Sequence, residues 1–169
     1  MDTQAVSQSA LLCRLPTAED GPSLHHLIQQ CPPLDTNSRY CNLLQCTYFA
    51  RTSAIAELDG DVVGAVSGFI PPDRLDTLFI WQVAVHEQAR GRRLAQQLIT
   101  HILGRASSQG VRFIETTITA DNGASWAMFE KLAASLNATL SSEDLFDCER
   151  HFAGHHSSET LVRIGPFIL

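Results

Sequence analysis

The sequence predicts an α/β fold built on a mixed central β-sheet of about six to seven strands, flanked by about four helices. Residues 78–85 are almost all apolar and rich in β-branched and aromatic types, which is typical of a buried strand. From Leu94 onward the apolar residues recur at helical spacing. Residues 113–119 predict another strand, parallel to the first because a helix links the two. We expect one domain over residues 11–169, after a flexible tail at residues 1–10.

The N-terminal part of the chain predicts one strand followed by two helices. Residues 11–15 form the strand, and a capping signal at residues 17–20 opens the first helix. That helix ends before residues 32–33, because two prolines cannot continue it. A polar segment follows, in which Ser38 or Asn37 caps the second helix.

The remaining elements complete a mixed sheet. Residues 53–70 predict a β-hairpin whose turn is the Asp-Gly pair at residues 59–60. A helix begins at about Ser125. After residue 138 the sequence predicts a weak strand, a long polar loop and a last strand near residues 160–164.

The composition argues against several classes of function. A net charge of −6 disfavours a nucleic-acid partner. No apolar run approaches membrane-spanning length, and the N-terminus has no signal-peptide pattern, so we expect a cytoplasmic protein without a membrane partner. The five cysteines are odd in number and form no C-x-x-C pair, which predicts reduced thiols.

No metal is expected either. The sequence around His151, His155 and His156 lacks convincing zinc spacing with further ligands. We interpret these histidines as part of a polar surface loop.

The turn between the central strand and its helix predicts an anion site. It contains Gly91 and three arginines, Arg90, Arg92 and Arg93, and the helix begins at Leu94. A helix N-terminus presents unpaired backbone N–H groups and the positive end of its dipole, which suit a phosphate or pyrophosphate. An ordinary strand–helix junction with solvated arginines is the alternative interpretation.

Two motifs resemble the GNAT superfamily of N-acetyltransferases. Gln88-x-x-Gly91 is similar to the superfamily's acetyl-CoA loop, Q/R-x-x-G-x-G/A. Its second signature is similar to Asn122-x-x-Ser125-x-x-x-Phe129, which follows at the right distance. The resemblance implies a GNAT fold, acetyl-CoA as cosubstrate and no metal.

The loop departs from the superfamily at one position, where Arg93 replaces the usual Gly or Ala, so this side chain must point away from the pyrophosphate. The resemblance also implies that the backbone of residues 83–85 pairs with the pantetheine arm and that a free amide there polarises the thioester oxygen. The implied cofactor contacts are Val83, Ala84, Val85, Arg90, Gly91, Arg92, Arg93, Leu94, Ala95, Asn122 and Ser125.

A narrower resemblance covers nearly the whole chain, from about Arg14 to Phe167. Residues 35–40, 78–85 and 115–119 are similar to the L-2,4-diaminobutyrate acetyltransferase family of ectoine biosynthesis. The resemblance implies acetyl transfer from acetyl-CoA to the 4-amino group of L-2,4-diaminobutyrate. It also implies a cytoplasmic homodimer.

The acceptor candidates lie in the polar segment and on two strands: Asp35, Asn37, Ser38, Arg39, Trp81 and Thr117. Asp35 is the candidate for receiving a substrate ammonium, although turn and cap chemistry also explains Asp35 and Asn37. Trp81 is expected on the same face as Val83 and Val85, either buried in the core or walling the acceptor pocket by cation–π attraction. Arg39 and Arg74 are equal candidates for the acceptor carboxylate.

Glu115 and Tyr40 are the candidate catalytic residues. Carboxylates are depleted from strands, and Glu115 lies on one beside the expected thioester channel, where it can take the amine's proton directly or through water. A salt-bridged or solvent-facing glutamate is the alternative. The family's customary proton donor to the departing thiolate is a tyrosine at the position of Phe129, so Tyr40 or water replaces it, or the CoA leaves as thiolate.

Three other functions stay open at this stage. The first is GNAT chemistry on another amine, such as a polyamine, a peptide N-terminus or an aminoglycoside. The second is a catalytically silent acyl-CoA-binding sensor. The departures from the superfamily pattern at Phe129 and Arg93 are consistent with such a loss of catalysis. A phosphate- or nucleotide-binding module is disfavoured because the sequence contains no P-loop and no G-x-G-x-x-G.

Overall fold

The computed structural model describes residues 10–169, with the exception of the side chain of residue 106. The predicted tail at residues 1–10 therefore lies outside the described residues except for its last residue. The strands are β1 (Leu11–Arg14), β2 (Ala54–Leu58), β3 (Asp61–Phe69), β4 (Thr77–Val85), β5 (Phe113–Thr119), β6 (Leu140–Phe146) and β7 (Glu159–Ile164). The helices are α1 (Gly21–Gln29), α2 (Arg39–Thr47), α3 (Leu94–Leu103), α4 (Gly123–Ser135) and α5 (Cys148–Phe152).

The seven strands form one mixed sheet in the order β1-β2-β3-β4-β5-β7-β6. Only the β4–β5 pair is parallel, as expected for two strands linked by a helix. The predicted α/β class and strand number are confirmed. The fifth helix, α5, is short and occupies part of the segment predicted as a polar loop, so His151 lies on a helix.

Apolar cores cover both faces of the sheet. The larger core joins α3 and α4 to the sheet, with Leu98 and Leu132 fully buried. The smaller core lies under α1 and joins Leu27 and Ile28 to Ala84 of β4. Side chains alternate between the two faces along each strand, so each β4 side chain points towards one of the two cores.

A β-bulge at Trp81 reverses this alternation in β4. Ser67 of β3 pairs with Gln82, whereas the next residue, Gly68, pairs with Ile80, so Trp81 is the extra residue. Before the bulge Ile80 belongs to the large core, and after it Val83 packs against the same core. Bulges of this kind re-aim side chains beside functional sites.

The bulge corrects one prediction from the sequence. Trp81 does not share a face with Val83 and Val85: those two pack against the α3–α4 core, whereas Trp81 contacts Phe49 on the other side of the sheet. It is also 42% exposed rather than buried in a core. The strict period of two fails here because the extra residue shifts the register by one.

Among residues 10–169, no helix is long and apolar enough to span a bilayer. All five cysteines lie in this part of the chain, and none forms a disulfide. Burial raises the pKa of the Cys46 thiol to about 11, which keeps it protonated at neutral pH.

Candidate active site

The central cleft opens where β4 and β5 separate. Their pairing covers only three positions, ending where Phe79 lies beside Glu115. Both strands continue beyond this point, to Val85 and Thr119, without further pairing between them in the described chain. The β5-facing backbone edge of β4 over residues 80–84 is therefore free to pair with an extended ligand. At the end of this edge the carbonyl of Val85 accepts a hydrogen bond from Nε of Arg90 at 3.3 Å.

The turn after β4 has the geometry of an anion site. Gly91 and Arg93 both have positive φ, 76° and 57°. The backbone N–H of Gln97 bonds to the carbonyl of Arg93 at 3.0 Å, and no hydrogen bond is found in the described structure for the preceding N–H groups of the first turn, residues 94–96. These N–H groups point out of the helix N-terminus towards the end of the cleft.

A left-handed conformation is unusual for arginine and costs roughly 1–2 kcal/mol. The Arg93 side chain is exposed, as are those of Arg90 and Arg92. Exposed guanidiniums around the helix terminus add positive charge beside its unpaired backbone N–H groups.

The second predicted cofactor contact lies at the start of α4. The side-chain oxygen of Asn122 accepts a hydrogen bond from the backbone N–H of Ser125 at 3.1 Å and so caps the helix. Helix α4 begins at Gly123, two residues earlier than predicted. Because α3 follows β4 and α4 follows β5, both helix N-termini lie at the same end of the sheet, on the two sides of the cleft.

The polar segment before α2 is fastened to β4 beside the bulge. Gln82 donates a hydrogen bond from its side-chain amide to the backbone carbonyl of Asp35 at 2.7 Å. The Asn37 side chain donates to the Gln82 side chain at 3.4 Å and to the Asp35 carbonyl at 3.3 Å. Asn37 has a positive φ of 55°, which asparagine tolerates well.

One oxygen of Asp35 is engaged locally and the other is available. Its Oδ1 accepts the backbone N–H of Asn37 at 3.1 Å, a turn contact. Its Oδ2 has no hydrogen bond within the described residues, and the side chain is exposed. Burial raises the pKa of the Cys41 thiol, and the nearby charge of Asp35 adds to the increase. Asp35 therefore combines the turn role with a free carboxylate oxygen.

Ser38, Arg39 and Tyr40 lie at the start of α2. The Ser38 hydroxyl accepts the backbone N–H of Cys41 at 3.0 Å, which makes it the helix cap. Arg39 is exposed, and Tyr40 is 69% exposed. The phenol of Tyr40 is therefore accessible to a ligand, and its catalytic role stays a prediction.

An aromatic wall runs from Trp81 to the apex of the cleft. The ring of Phe49 lies 6.3 Å from Trp81 and 5.7 Å from Phe69, and Phe69 lies 5.2 Å from Phe79, measured between ring centroids. Phe79 is the residue beside Glu115. The aromatic wall thus extends from the exposed Trp81 to the position beside Glu115 on β5.

Glu115 is held by two arginines. It is 1% exposed, and both of its oxygens accept hydrogen bonds from Nη1 of Arg74, at 2.7 and 2.8 Å. Its Oε1 also accepts from Nη1 of Arg163 on β7. Arg163 lies opposite Glu115 in the antiparallel β5–β7 pair, and Thr117 lies two residues further along the same face.

The profile of the Acetyltransferase (GNAT) family matches residues 21–134 of this chain. The L-2,4-diaminobutyric acid acetyltransferase of Methylotuvimicrobium alcaliphilum is 53% identical over 152 residues, which are 90% of this chain and 88% of that protein. The enzyme of the same name from Halomonas elongata is 44% identical and covers 94% of this chain and 83% of its own length. The chain belongs to the L-2,4-diaminobutyric acid acetyltransferase family.

A solved structure of this family supports the fold over nearly the whole chain. Diaminobutyrate acetyltransferase from Paenibacillus lautus, in complex with its substrate L-2,4-diaminobutyric acid and coenzyme A, is similar with a TM-score of 0.90 and 37% identity. The similarity covers 96% of this chain and 98% of that one. Ard1 from Thermoplasma volcanium, at 16% identity and a TM-score of 0.75, shares the fold alone. The predicted GNAT fold and family are confirmed.

In this member of the family, the predicted site residues fall into two groups around the cleft. One group surrounds the free edge of β4 and the N-termini of α3 and α4, where the predicted cofactor residues lie. The other lies on the sheet face with Trp81, and includes Asp35, Glu115 and Thr117.

Two residues with clear structural roles were missed from the sequence. Gln82 anchors the polar segment before α2, and only the bulge turns its side chain towards Asp35. Arg163 of β7 pairs with Glu115 of β5, and the two residues are 48 positions apart in the sequence. An arginine between two buried apolar residues, Val162 and Ile164, was the available signal, because a buried carboxylate needs a cation.

Proposed function

We propose that the protein transfers acetyl from acetyl-CoA to the 4-amino group of L-2,4-diaminobutyrate, giving N4-acetyl-L-2,4-diaminobutyrate for ectoine biosynthesis. The observation that carries this proposal is the near full-length similarity, at a TM-score of 0.90, to a diaminobutyrate acetyltransferase solved with that diamine and coenzyme A. The free edge of β4 and the turn after it supply what acyl-CoA chemistry requires of the protein.

The turn binds the pyrophosphate of the cofactor, and the strand edge binds its pantetheine arm. The unpaired N–H groups at the start of α3 are the proposed ligands of the pyrophosphate. The β5-facing edge of β4 over residues 80–85 pairs with the pantetheine arm through its unpaired backbone groups and carries the thioester towards the apex beside Phe79 and Glu115. A backbone N–H on this edge polarises the thioester carbonyl, a contribution worth about 3–4 kcal/mol in other enzymes.

The acceptor reaches the thioester from the face that carries Trp81. Its reacting ammonium first loses a proton, and the neutral nitrogen attacks the carbonyl carbon. The C–S bond then breaks, the CoA thiolate takes up a proton, and the new amide nitrogen releases its second proton. Asp35 receives the ammonium that does not react, through its free Oδ2.

Regiochemistry of the product tests the proposed function. We expect purified protein, acetyl-CoA and L-2,4-diaminobutyrate to yield a product whose NMR spectrum places the acetyl group on N4. A parallel panel of polyamines, aminoglycosides and peptide N-termini should react more slowly. Acetylation at N2 contradicts the proposal, and binding of CoA without turnover of any amine would indicate a sensor.

The charge of Asp35 should govern acceptor affinity. Asp35→Asn keeps the turn hydrogen bond to the Asn37 N–H but removes the charge facing the ammonium. Because a charged hydrogen bond is worth about 1.5–3 kcal/mol, the KM for diaminobutyrate should rise roughly 10-fold or more while the KM for acetyl-CoA stays constant. Steady-state kinetics with each substrate varied in turn measure this.

Asp144→Asn is the matched control. Asp144 is exposed on the edge strand β6, and its substitution removes the same charge as Asp35→Asn. It should leave both KM values at the wild-type level. An unchanged acceptor KM in Asp35→Asn would leave Asp35 with its turn role only.

A cytoplasmic homodimer is also part of the proposal, as the family resemblance implies. Light scattering coupled to size-exclusion chromatography should give about twice the mass of one chain. A mass equal to one chain across the working concentration range would contradict it.

A further inference from the structure

The cluster around Glu115 carries more positive than negative charge. Two guanidiniums, from Arg74 and Arg163, meet the single buried carboxylate of Glu115. Arginine stays protonated at any physiological pH, so one positive charge remains uncompensated within the cluster. By strand register the next acidic residue on this face is Glu143, opposite Leu161, and it forms no ion pair with Arg163 in the described chain.

Both arginines keep hydrogen-bond donors free. Each uses only its Nη1 towards Glu115, and within residues 10–169 their Nε and Nη2 groups have no hydrogen-bond acceptor. The side chain of Arg74 is 44% exposed and that of Arg163 is 32% exposed. A partly exposed guanidinium with a free edge is suited to a bidentate contact with a second carboxylate.

The two guanidiniums are held in place before any ligand arrives. The guanidinium carbon of Arg163 lies 3.8 Å from the centre of the Phe113 ring, which fixes its plane. Arg74 lies in a turn closed by its own N–H to the carbonyl of Pro71 at 3.0 Å and by the Thr77 N–H to its carbonyl at 3.1 Å. Glu115 forms an ion pair with each guanidinium and so links the two side chains.

The cluster lies at the apex of the cleft, where β4 and β5 last touch. Glu115 is one strand away from Phe79, and Trp81 is two residues further along β4. With a strand spacing of about 4.8 Å and a rise of about 3.3 Å per residue, the backbones of Glu115 and Trp81 are roughly 8 Å apart. One small acceptor can therefore span the distance from the aromatic wall to the arginines.

We propose that Arg74 and Arg163, positioned by Glu115, bind the carboxylate of the acceptor amino acid. The inference rests on the proposed function and identifies the part of the acceptor that this cluster recognises. Asp35 supplies the negative charge for an ammonium and the arginine pair supplies the positive charge for the carboxylate. The pocket is thus complementary to a zwitterionic diamino acid, whereas a polyamine would place a second ammonium against the guanidiniums.

The test compares L-2,4-diaminobutyrate with 1,3-diaminopropane, which is the same molecule without its carboxylate. Wild-type protein should show a far higher kcat/KM for diaminobutyrate. Arg163→Gln should lower that value about 10- to 100-fold and leave the value for diaminopropane unchanged or raised. Arg74→Gln should act in the same direction, and Arg163→Lys should recover part of the preference because it keeps the charge without the planar fork.

Arg112→Gln is the control, because Arg112 is an exposed arginine beside β5 outside the cluster. It should preserve the preference for diaminobutyrate. Circular dichroism and thermal melts check that each variant is folded. If Arg163→Gln is unfolded, Arg74→Gln replaces it in the test, because the Arg74 side chain is the more exposed of the two.

Two failures are distinguishable. If wild-type protein does not acetylate diaminobutyrate, the proposed function is wrong, and the ligand of this subsite with it. If wild-type protein does acetylate diaminobutyrate, while the folded arginine variants keep its preference over diaminopropane or lose activity equally on both acceptors, the function stands and the subsite is wrong.

Discussion

Gly91→Pro should abolish acetyl-CoA binding in a protein that is still folded. Gly91 has a φ of 76°, whereas proline is restricted to about −65°, so the turn before α3 cannot keep its path. Misplacing the N–H groups of the first helical turn removes several hydrogen bonds to a charged group, each worth about 1.5–3 kcal/mol. Calorimetry with CoA should show an affinity at least ~100-fold weaker.

Arg93→Ala separates the backbone from the side chain in this turn. The variant keeps a non-glycine residue at the same positive φ and removes only an exposed guanidinium. Its CoA affinity should fall only a few-fold, with a shallower salt dependence, since one long-range charge is lost. A loss as large as that of Gly91→Pro would show that the arginine side chain, not the backbone, binds the pyrophosphate.

The features that were predicted correctly from the sequence are encoded locally. The change from β-type to helical periodicity between Val85 and Leu94 predicted the strand, turn and helix. The Asp-Gly pair at residues 59–60 predicted the hairpin, and its residues have the positive φ values of that turn. Ser38 was predicted as one of two possible caps, and its hydroxyl occupies that role.

The features that were missed depend on strand register. The bulge at Trp81 arises from a one-residue mismatch between β3 and β4, which neither strand reveals alone. The bulge lies opposite a glycine, Gly68, where a Cβ atom would come within 2.6 Å of the Phe79 carbonyl oxygen. Without the bulge, Trp81 and Gln82 would point to opposite faces, and Gln82 could not reach Asp35.

Strand order explains the missed arginine. β7 inserts between β5 and β6, so Arg163 meets Glu115 directly, although the two are 48 positions apart in the sequence. Periodicity assigns a face to each residue but does not say which strand lies next to it. The sequence therefore predicted a carboxylate at the cleft and left open whether it was free or salt-bridged.

Glu115→Gln decides between the two roles of this carboxylate. The sequence-based role is to accept the amine's proton, and general-base assistance is worth about 10²–10⁴-fold. The structure adds that both oxygens accept hydrogen bonds from Arg74, and Oε1 also from Arg163. The oxygens that would have to receive the amine's proton are therefore already occupied by guanidinium donors. We expect the positioning role to dominate.

The expected result is a kcat/KM for diaminobutyrate that falls about 10- to 100-fold and does not recover as the pH is raised from 7 to 9. An alkylammonium has a pKa of about 10, so each pH unit makes the neutral amine about tenfold more abundant, and a missing general base would become progressively less important. Lost orientation of Arg74 and Arg163 is independent of pH in this range, because guanidiniums stay charged. The free energy of unfolding should also fall by about 1–3 kcal/mol, measured by urea denaturation. Recovery of activity at high pH would instead identify Glu115 as the proton acceptor, and the two arginines would then hold the catalytic carboxylate.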